Sequence, residues 1–306
     1  MADVKSALIL MNPAAGSAEP DLVRAILSNA LRQHGWEFSF YILEKGVVAA
    51  SIVPVIQQAT EQGTTLIIAS GGDGTVSLVA TAVILSGLKE QLRLGLFPAG
   101  TANSLAKELG MPAEWTEAAQ FLASLEAFSY LDAMKMGERY CFLRIGIGLD
   151  AATIEATTPE AKRWLGRWAY LRTFLSRFFN PQRVKYHCVI DGRHRRFWAV
   201  QVFIANGGRI ALAPFRIGPD IAYDDGLLNL CAYDALSGWD YFTVGWRLFR
   251  KRYDENPLLK FWTIRNSITV SAKRALPVQG DGEPCGTTPV TITVLPQALR
   301  VVATKV

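Results

Sequence analysis

Residues 64–86 read TTLIIASGGDGTVSLVATAVILS, and the fold turns on how this stretch divides. Thr64 to Ala69 is a short apolar run with the make-up of a buried strand. Residues 75–86 read as a helix. Between them come Gly71, Gly72 and Gly74, with Asp73 in their midst. Glycine is unfavourable inside either element, so the bare backbone points to something that approaches closely. In open α/β sheets ligands bind at the carboxyl ends of strands. A helix start there offers unpaired N–H groups and a partial positive charge, and glycines let a phosphate reach them. A carboxylate beside a phosphate is repelled unless a divalent cation bridges the two. Alternatively, Asp73 accepts hydrogen bonds from loop N–H groups and shapes the turn. The plainer reading of the whole loop is a tight strand-to-helix turn.

The same alternation extends on both sides. Strands are predicted at 6–11, 36–42 and 92–97, and helices at 21–33, 47–61, 102–109 and 114–125. Short apolar strands alternating with helices imply a parallel sheet covered on both faces. Two further strand-to-helix loops carry small and polar residues, MNPAAGS at 11–17 and FPAGTANSLAKELG at 97–110. Three such loops on one sheet edge make a cleft. From about Leu131 the text becomes strand-like, at 140–145, 184–190, 197–204, 227–233, 267–271, 290–295 and 299–303, with helical islands at 151–179 and 238–252. The prediction is an α/β nucleotide domain of Rossmann-like design over 1–131 and a mainly β sandwich domain over 132–306. Whether the last strand returns to the first domain is left open.

Bulk properties narrow the function. The chain has 306 residues, half of them apolar, with a formal charge of +5. That supports one large or two ordinary domains with real cores. The apolar stretch Ala7 to Met11 is too short for a signal peptide core, and no run approaches a spanning helix. The expectation is a cytoplasmic protein, or one peripheral to the inner face of a membrane. Cys141, Cys188, Cys231 and Cys285 form no CxxC pair, so buried reduced thiols are expected rather than disulfides or zinc. No Walker-type loop and no protein-kinase motif set is present. A nucleic-acid role would rest on basicity and aromatics alone, without a recognition motif, and is not expected.

Six segments in order, NPAAG (12–16), GGDGT (71–75), PAGTANSLA (98–106), GIGLDA (146–151), APFRIGPDIAYDDGLLNL (213–230) and QGDGEP (279–284), resemble the diacylglycerol kinase catalytic family, which includes bacterial lipid kinases and the sphingosine and ceramide kinases. GGDGT alone is shared with NAD kinases; the six together span nearly the whole chain. The resemblance implies phosphorylation of a lipid hydroxyl by ATP with magnesium. It implies that Asn12, Gly71, Gly72, Asp73, Gly74, Thr75, Thr101 and Asn103 meet ATP. It further implies that Asp225, with the backbone carbonyls of Ala222 and Leu227, holds magnesium outside the reaction centre, and that Glu283 is the proton acceptor, with Asp73 beside it in the catalytic set. Phosphoryl transfer needs a group that orients the attacking hydroxyl, a task open to a carboxylate. Asp281 and Glu283 sit at alternate positions and would share a face if that segment were extended. This chain departs from the family at Ser104, where Asp is common, at Ile42, where related bacterial enzymes have threonine, and at Ala15, where serine is usual. The rival readings are an NAD kinase-like enzyme and a non-catalytic lipid or nucleotide sensor on the same scaffold.

The lipid side has two candidate segments. AKRWLGRWAYLRTFLSRFF (161–179) joins aromatic and basic residues without acids, the make-up of an interfacial helix. The second, 239–252, carries Trp239, Phe242, Trp246 and Phe249, then Arg250, Lys251 and Arg252. Aromatic stripes at helical spacing are usually core, so the plainer reading is that both helices pack on the β domain; of the two, 161–179 is the first candidate for peripheral membrane contact. Oligomeric state is not legible.

Overall fold

The computed structural model describes residues 5–16, 19–125, 127–148, 182–209, 216–253 and 257–304. The chain divides into two compact units, Met1–Asp132 with Gln297–Val306, and Ala133–Pro296.

The first unit is built on four parallel strands: β1 (Lys5–Met11), β2 (Trp36–Ile42), β3 (Thr64–Gly71) and β4 (Arg93–Pro98), in the order β2-β1-β3-β4. Leu8 to Met11 and Leu66 to Ala69 are buried on both sides of the pleat, as strands covered on both faces must be. The covering helices are α1 (Pro20–Gln33), α2 (Ala49–Glu61), α3 (Asp73–Ser86), the short α4 (Ser104–Glu108) and α5 (Trp115–Ser124). In α1, Pro20 opens the first turn, Asp21 lies at the positive end and Arg32 at the negative end. The Trp36 indole donates to the Ala123 carbonyl at 2.8 Å, pinning the start of β2 to α5. Register aligns Met11 with both Ile42 and Ser70, and Gly71 with Pro98, so the carboxyl ends of all four strands form one row.

The second unit contains two sheets. Its strands are β5 (Phe128–Met136, shared at its start with the first unit), β6 (Arg139–Cys141), β7 (Arg144–Gly148), β8 (Val184–Ile190), β9 (Arg193–Ala199), β10 (Gln201–Ala205), β11 (Leu228–Tyr233), β12 (Leu259–Ile264), β13 (Ser267–Ala272), β14 (Pro277–Gly280), β15 (Glu283–Thr287) and β16 (Val290–Val302). One sheet runs β12-β11-β10-β7-β14-β15; in the other, β16, β13, β8 and β9 follow one another. Ile145, Val202, Leu230 and Val278 from the first sheet share one core with Tyr186, Phe197, Ile268 and Ile292 from the second, which makes the unit a sandwich. Helix α6 (Gly238–Phe249) packs Val244 and Leu248 against Ile217, Tyr233 and Leu259. The last residues of β16 belong to the first unit, where Val301 pairs in parallel with Leu94.

Several expected boundaries shift. The stretch 290–303, read as two strands, is one strand that passes through Pro296. The segment 102–109 yields only the five-residue α4. Strands β5, β12, β14 and β15 were not expected. The helical expectation over 151–179 lies outside the described residues.

Candidate functional site

At the carboxyl edge of the first unit's sheet, main chain stacks on main chain. A Cβ on Gly100 would lie 2.3 Å from the Gly72 Cα, and one on Gly71 would meet the Thr75 side chain at 2.5 Å. The loops after β3 and β4 therefore touch through glycines. Hydrogen bonds continue the ladder beyond the strands: Asn12 N–H donates to the Ser70 carbonyl at 3.0 Å and Ala99 N–H to the Gly71 carbonyl at 3.2 Å.

Side chains complete the junction. The Asn12 amide donates to the Thr75 hydroxyl at 3.1 Å and accepts the Ala14 N–H at 3.0 Å. Asn103, at φ 49°, accepts the Gly100 N–H and donates to the Pro98 and Gly100 carbonyls. Asp73 Oδ1 accepts the Ser104 N–H at 2.6 Å and the Leu105 N–H at 3.3 Å, and its Oδ2 accepts the Ser104 hydroxyl at 3.4 Å. Of the two roles the sequence allowed for Asp73, the structure displays the second: the carboxylate caps α4 and ties two loops together. Ser104, one of the chain's departures from the family pattern, takes part in this contact through both its N–H and its hydroxyl.

Asn12, Thr75 and Asn103 thus spend their side chains inside the loops. What faces outward is backbone, together with the exposed Thr101 and Gly74. Gly74 stands apart. Its φ lies outside the left-handed region, and a Cβ there would meet nothing within 4 Å. Neither conformation nor packing asks for glycine at this helix start. Ile42 is exposed at the end of β2 in the same row.

The remaining candidates lie in the second unit. Ala222, Asp225 and Leu227 occupy the loop that enters β11, where the Leu227 N–H donates to Asp225 Oδ1 at 2.9 Å. Asp225 is exposed. One carboxylate and two carbonyls form an all-oxygen donor set, which suits a hard cation such as magnesium. Among the described residues no group of three or more His, Cys, Asp and Glu side chains is gathered for a metal. Glu283 is exposed and opens β15 opposite Gly280. β11 and β15 run in the same direction within their sheet with β10, β7 and β14 between them, so the Asp225 loop and Glu283 lie at the same end. Four strand spacings separate them, on the order of 20 Å.

Asp281 and Glu283 do not share a face. Asp281 and Gly282 form a two-residue hairpin turn with φ of 48° and 92°. The Asp281 carboxylate turns inward and accepts the N–H groups of Phe142, Leu143 and Arg144 at 2.6, 3.0 and 2.9 Å. Burial pushes its carboxyl up, and those amides pull the other way without offsetting it. Asp281 is thus an anchor that fixes the turn from which Glu283 projects. The Asp-Gly pair between strand residues was the sequence signal for it.

Cys285 follows two residues after Glu283. Its thiol donates to the Glu283 carbonyl at 3.2 Å; the neighbouring Cys141 thiol is the main reason its acidity is enhanced, burial opposes this, and the Arg139 guanidinium at 3.6 Å assists. The Cys141 thiol is pushed up by its Cys285 neighbour, by burial and by the Asp281 charge. Cys188 and Cys231 are buried, and all four thiols are free; Cys285 is only half-buried, against the expectation of burial for all four.

The profile of the diacylglycerol kinase catalytic domain matches residues 6–136, and that of the YegS C-terminal NAD kinase beta sandwich-like domain matches residues 144–303. A protein of Enterobacter sp. (strain 638) named "Probable lipid kinase YegS-like" is 32% identical over 235 residues, covering 75% of each chain. "Probable lipid kinase YegS" of Escherichia fergusonii is 29% identical over 309 residues, covering 98% of this chain and 96% of its own. The crystal structure of a diacylglycerol kinase from Bacillus anthracis str. Sterne superposes with a TM-score of 0.74 over 99% of this chain and 98% of that one, at 19% identity, a likeness of fold. Matched through both of its units, the chain belongs to the YegS-like lipid kinases, in which a diacylglycerol kinase catalytic domain is followed by a NAD kinase-like β-sandwich.

Proposed function

We propose that this protein transfers the terminal phosphoryl group of ATP to a hydroxyl of a membrane lipid, diacylglycerol or a related lipid alcohol. The reading is carried by Gly74: an exposed helix start keeps its backbone bare where the protein itself has no use for glycine. The phosphates of ATP would lie along the main chain of Gly71 to Thr75, with Thr101 as a hydroxyl partner and Asn12, Asp73 and Asn103 holding the three loops in place. Asp225 and the carbonyls of Ala222 and Leu227 would hold a magnesium ion outside the reaction centre, where its charge would neutralise the Asp225 carboxylate and steady the loop that enters β11. Glu283 would accept the proton of the lipid hydroxyl as its oxygen attacks the terminal phosphorus and the bond to ADP breaks. The first unit then serves the nucleotide and the second the lipid. Such an enzyme works in the cytoplasm, where ATP is, at the inner face of the membrane.

The test incubates the full chain with γ-labelled ATP, magnesium, a total lipid extract and NAD. Label in a chloroform-soluble lipid, identified by mass spectrometry, is expected. Label confined to a dinucleotide would overturn the acceptor class, and no transfer would point to a sensor. Gly74→Val is expected to weaken ATP binding at least ~10-fold, with an unchanged circular dichroism spectrum, by blocking the backbone. Glu283→Gln is expected to lower turnover ~10²-fold or more while ATP still binds.

A further inference from the structure

Helix α6 has two unlike faces. Val244 and Leu248 are buried against the sandwich. Trp239, Phe242, Trp246 and Phe249 point away, with fractional exposures of 74, 60, 52 and 54%. Their rings follow one another with centroids 5.4, 6.4 and 6.0 Å apart, a continuous aromatic ridge along the helix. The expectation that this stripe is core is therefore wrong: the core stripe of α6 is aliphatic, and the aromatic one faces outward. A contiguous aromatic ridge of this size marks an interaction surface.

The charges around the ridge select its partner. Arg247 lies in the last turn, the Arg250 guanidinium sits 5.5 Å from the centre of the Trp246 ring, and Lys251 and Arg252 follow. The one acid of the helix, Asp240, is at the opposite end and is consumed by the cap, accepting the N–H groups of Leu236 and Ser237. Within 238–252, four cations against one capping acid suit a surface of many phosphates. A second copy pairing through this same face would set its cations against those of the first.

We propose that α6 is a membrane-docking element that seats its aromatic ridge in the headgroup region of an anionic bilayer. Tryptophan and phenylalanine enter the interface, and Arg247, Arg250, Lys251 and Arg252 meet lipid phosphates. The capping box of Ser237 and Asp240 keeps the helix formed before contact. The purpose of docking rests on the lipid-kinase reading, but docking itself is measured without ATP, so the two can fail separately.

The full chain is sedimented with phosphatidylcholine vesicles and with vesicles that also contain phosphatidylglycerol. Binding to the mixed vesicles, weakened by salt, is expected. The triple variant Trp239→Ser, Phe242→Ser, Trp246→Ser should lose at least ~10-fold in partitioning. Neutralising Arg250, Lys251 and Arg252 to glutamine should weaken binding comparably and flatten its salt dependence. Trp198, an exposed aromatic elsewhere on the sandwich, is the control, and Trp198→Ser should bind as the parent does. Because the replaced side chains are exposed, thermal midpoints should stay close to the parent's. The proposal is overturned if the parent ignores both vesicle types or if the aromatic variant partitions like the parent. It is equally overturned if light scattering shows the aromatic variant only converting a dimer to a monomer.

Discussion

Asp191 and Asp281 hold the same position in two hairpins, the first residue of an Asp-Gly turn, with φ of 47° and 48°. Each carboxylate gathers three successive backbone amides; for Asp191 these are Arg265, Asn266 and Ser267. Burial is the largest single effect at Asp191 and pushes its carboxyl up, but the three amides and the Arg265 guanidinium outweigh it and hold it below its ordinary 3.8. At Asp281 burial wins. The consequences for stability have opposite signs. A carboxyl lowered by folding contributes stability that is present above the unfolded value and drains away as pH falls through the folded one. A carboxyl raised by folding contributes most below the unfolded value and loses that contribution as pH rises through the folded one. Asp191→Asn keeps a residue that tolerates the left-handed turn. It should cost ~1–2 kcal/mol near neutrality and progressively less below pH ~4. For Asp281→Asn the gap to the parent should instead narrow as pH rises. Urea unfolding from about pH 7 to about pH 3 checks both, and parallel curves for the two variants would show that environment does not set these carboxyls apart.

At the scale of elements, the three loops behave as one part. Gly100 and Gly72 are in main-chain contact, and Asp73 fastens the start of α3 to the start of α4. Gly100→Ala would place its Cβ 2.3 Å from one backbone and 2.8 Å from the Asn103 side chain, so a loop must move. A loss of ~1–3 kcal/mol in thermal or chemical unfolding is expected, together with lost nucleotide affinity by calorimetry. Parent-like nucleotide affinity would show that the loops act independently. Elements with clear periodicity were legible: β1 to β4 and α1 to α3 lie within a few residues of expectation. The strands that escaped have physical excuses. β12 and β15 are edge strands of their sheet. β14 and β15 are short and carry proline and glycine, which edges tolerate. β5 places Asp132 and Lys135 inside a strand, and the buried Asp132 accepts the Gln297 N–H at 2.6 Å.

For the molecule as a whole, the chain leaves its first unit after Asp132 and re-enters it at Gln297. The returning segment buries Leu299, Val301, Val302 and Ala303, and Thr304 closes it with an N–H bond to the Leu109 carbonyl at 3.1 Å. Removing residues from Gln297 onward exposes the surface these side chains cover, worth on the order of 6 kcal/mol, comparable to the net stability of a whole domain. The truncated chain should lose the cooperative unfolding transition of its first unit and all ATP binding. A truncated protein with a parent-like transition would mean the segment merely lies on the surface. Among the described residues no helix is long and apolar enough to cross a membrane.

The order of strands, glycine loops and helices in the first unit, and the identity of the polar residues at its edge, were determined by the sequence, because period, turn chemistry and motif are local properties. Tertiary structure alone decided the rest. It turned Asp73 and Asp281 toward backbone amides, since a carboxylate takes whichever donors the fold presents. It also left Gly74 without a neighbour, and it chose which stripe of α6 is buried, because helical spacing marks two faces and only packing against the sandwich selects between them.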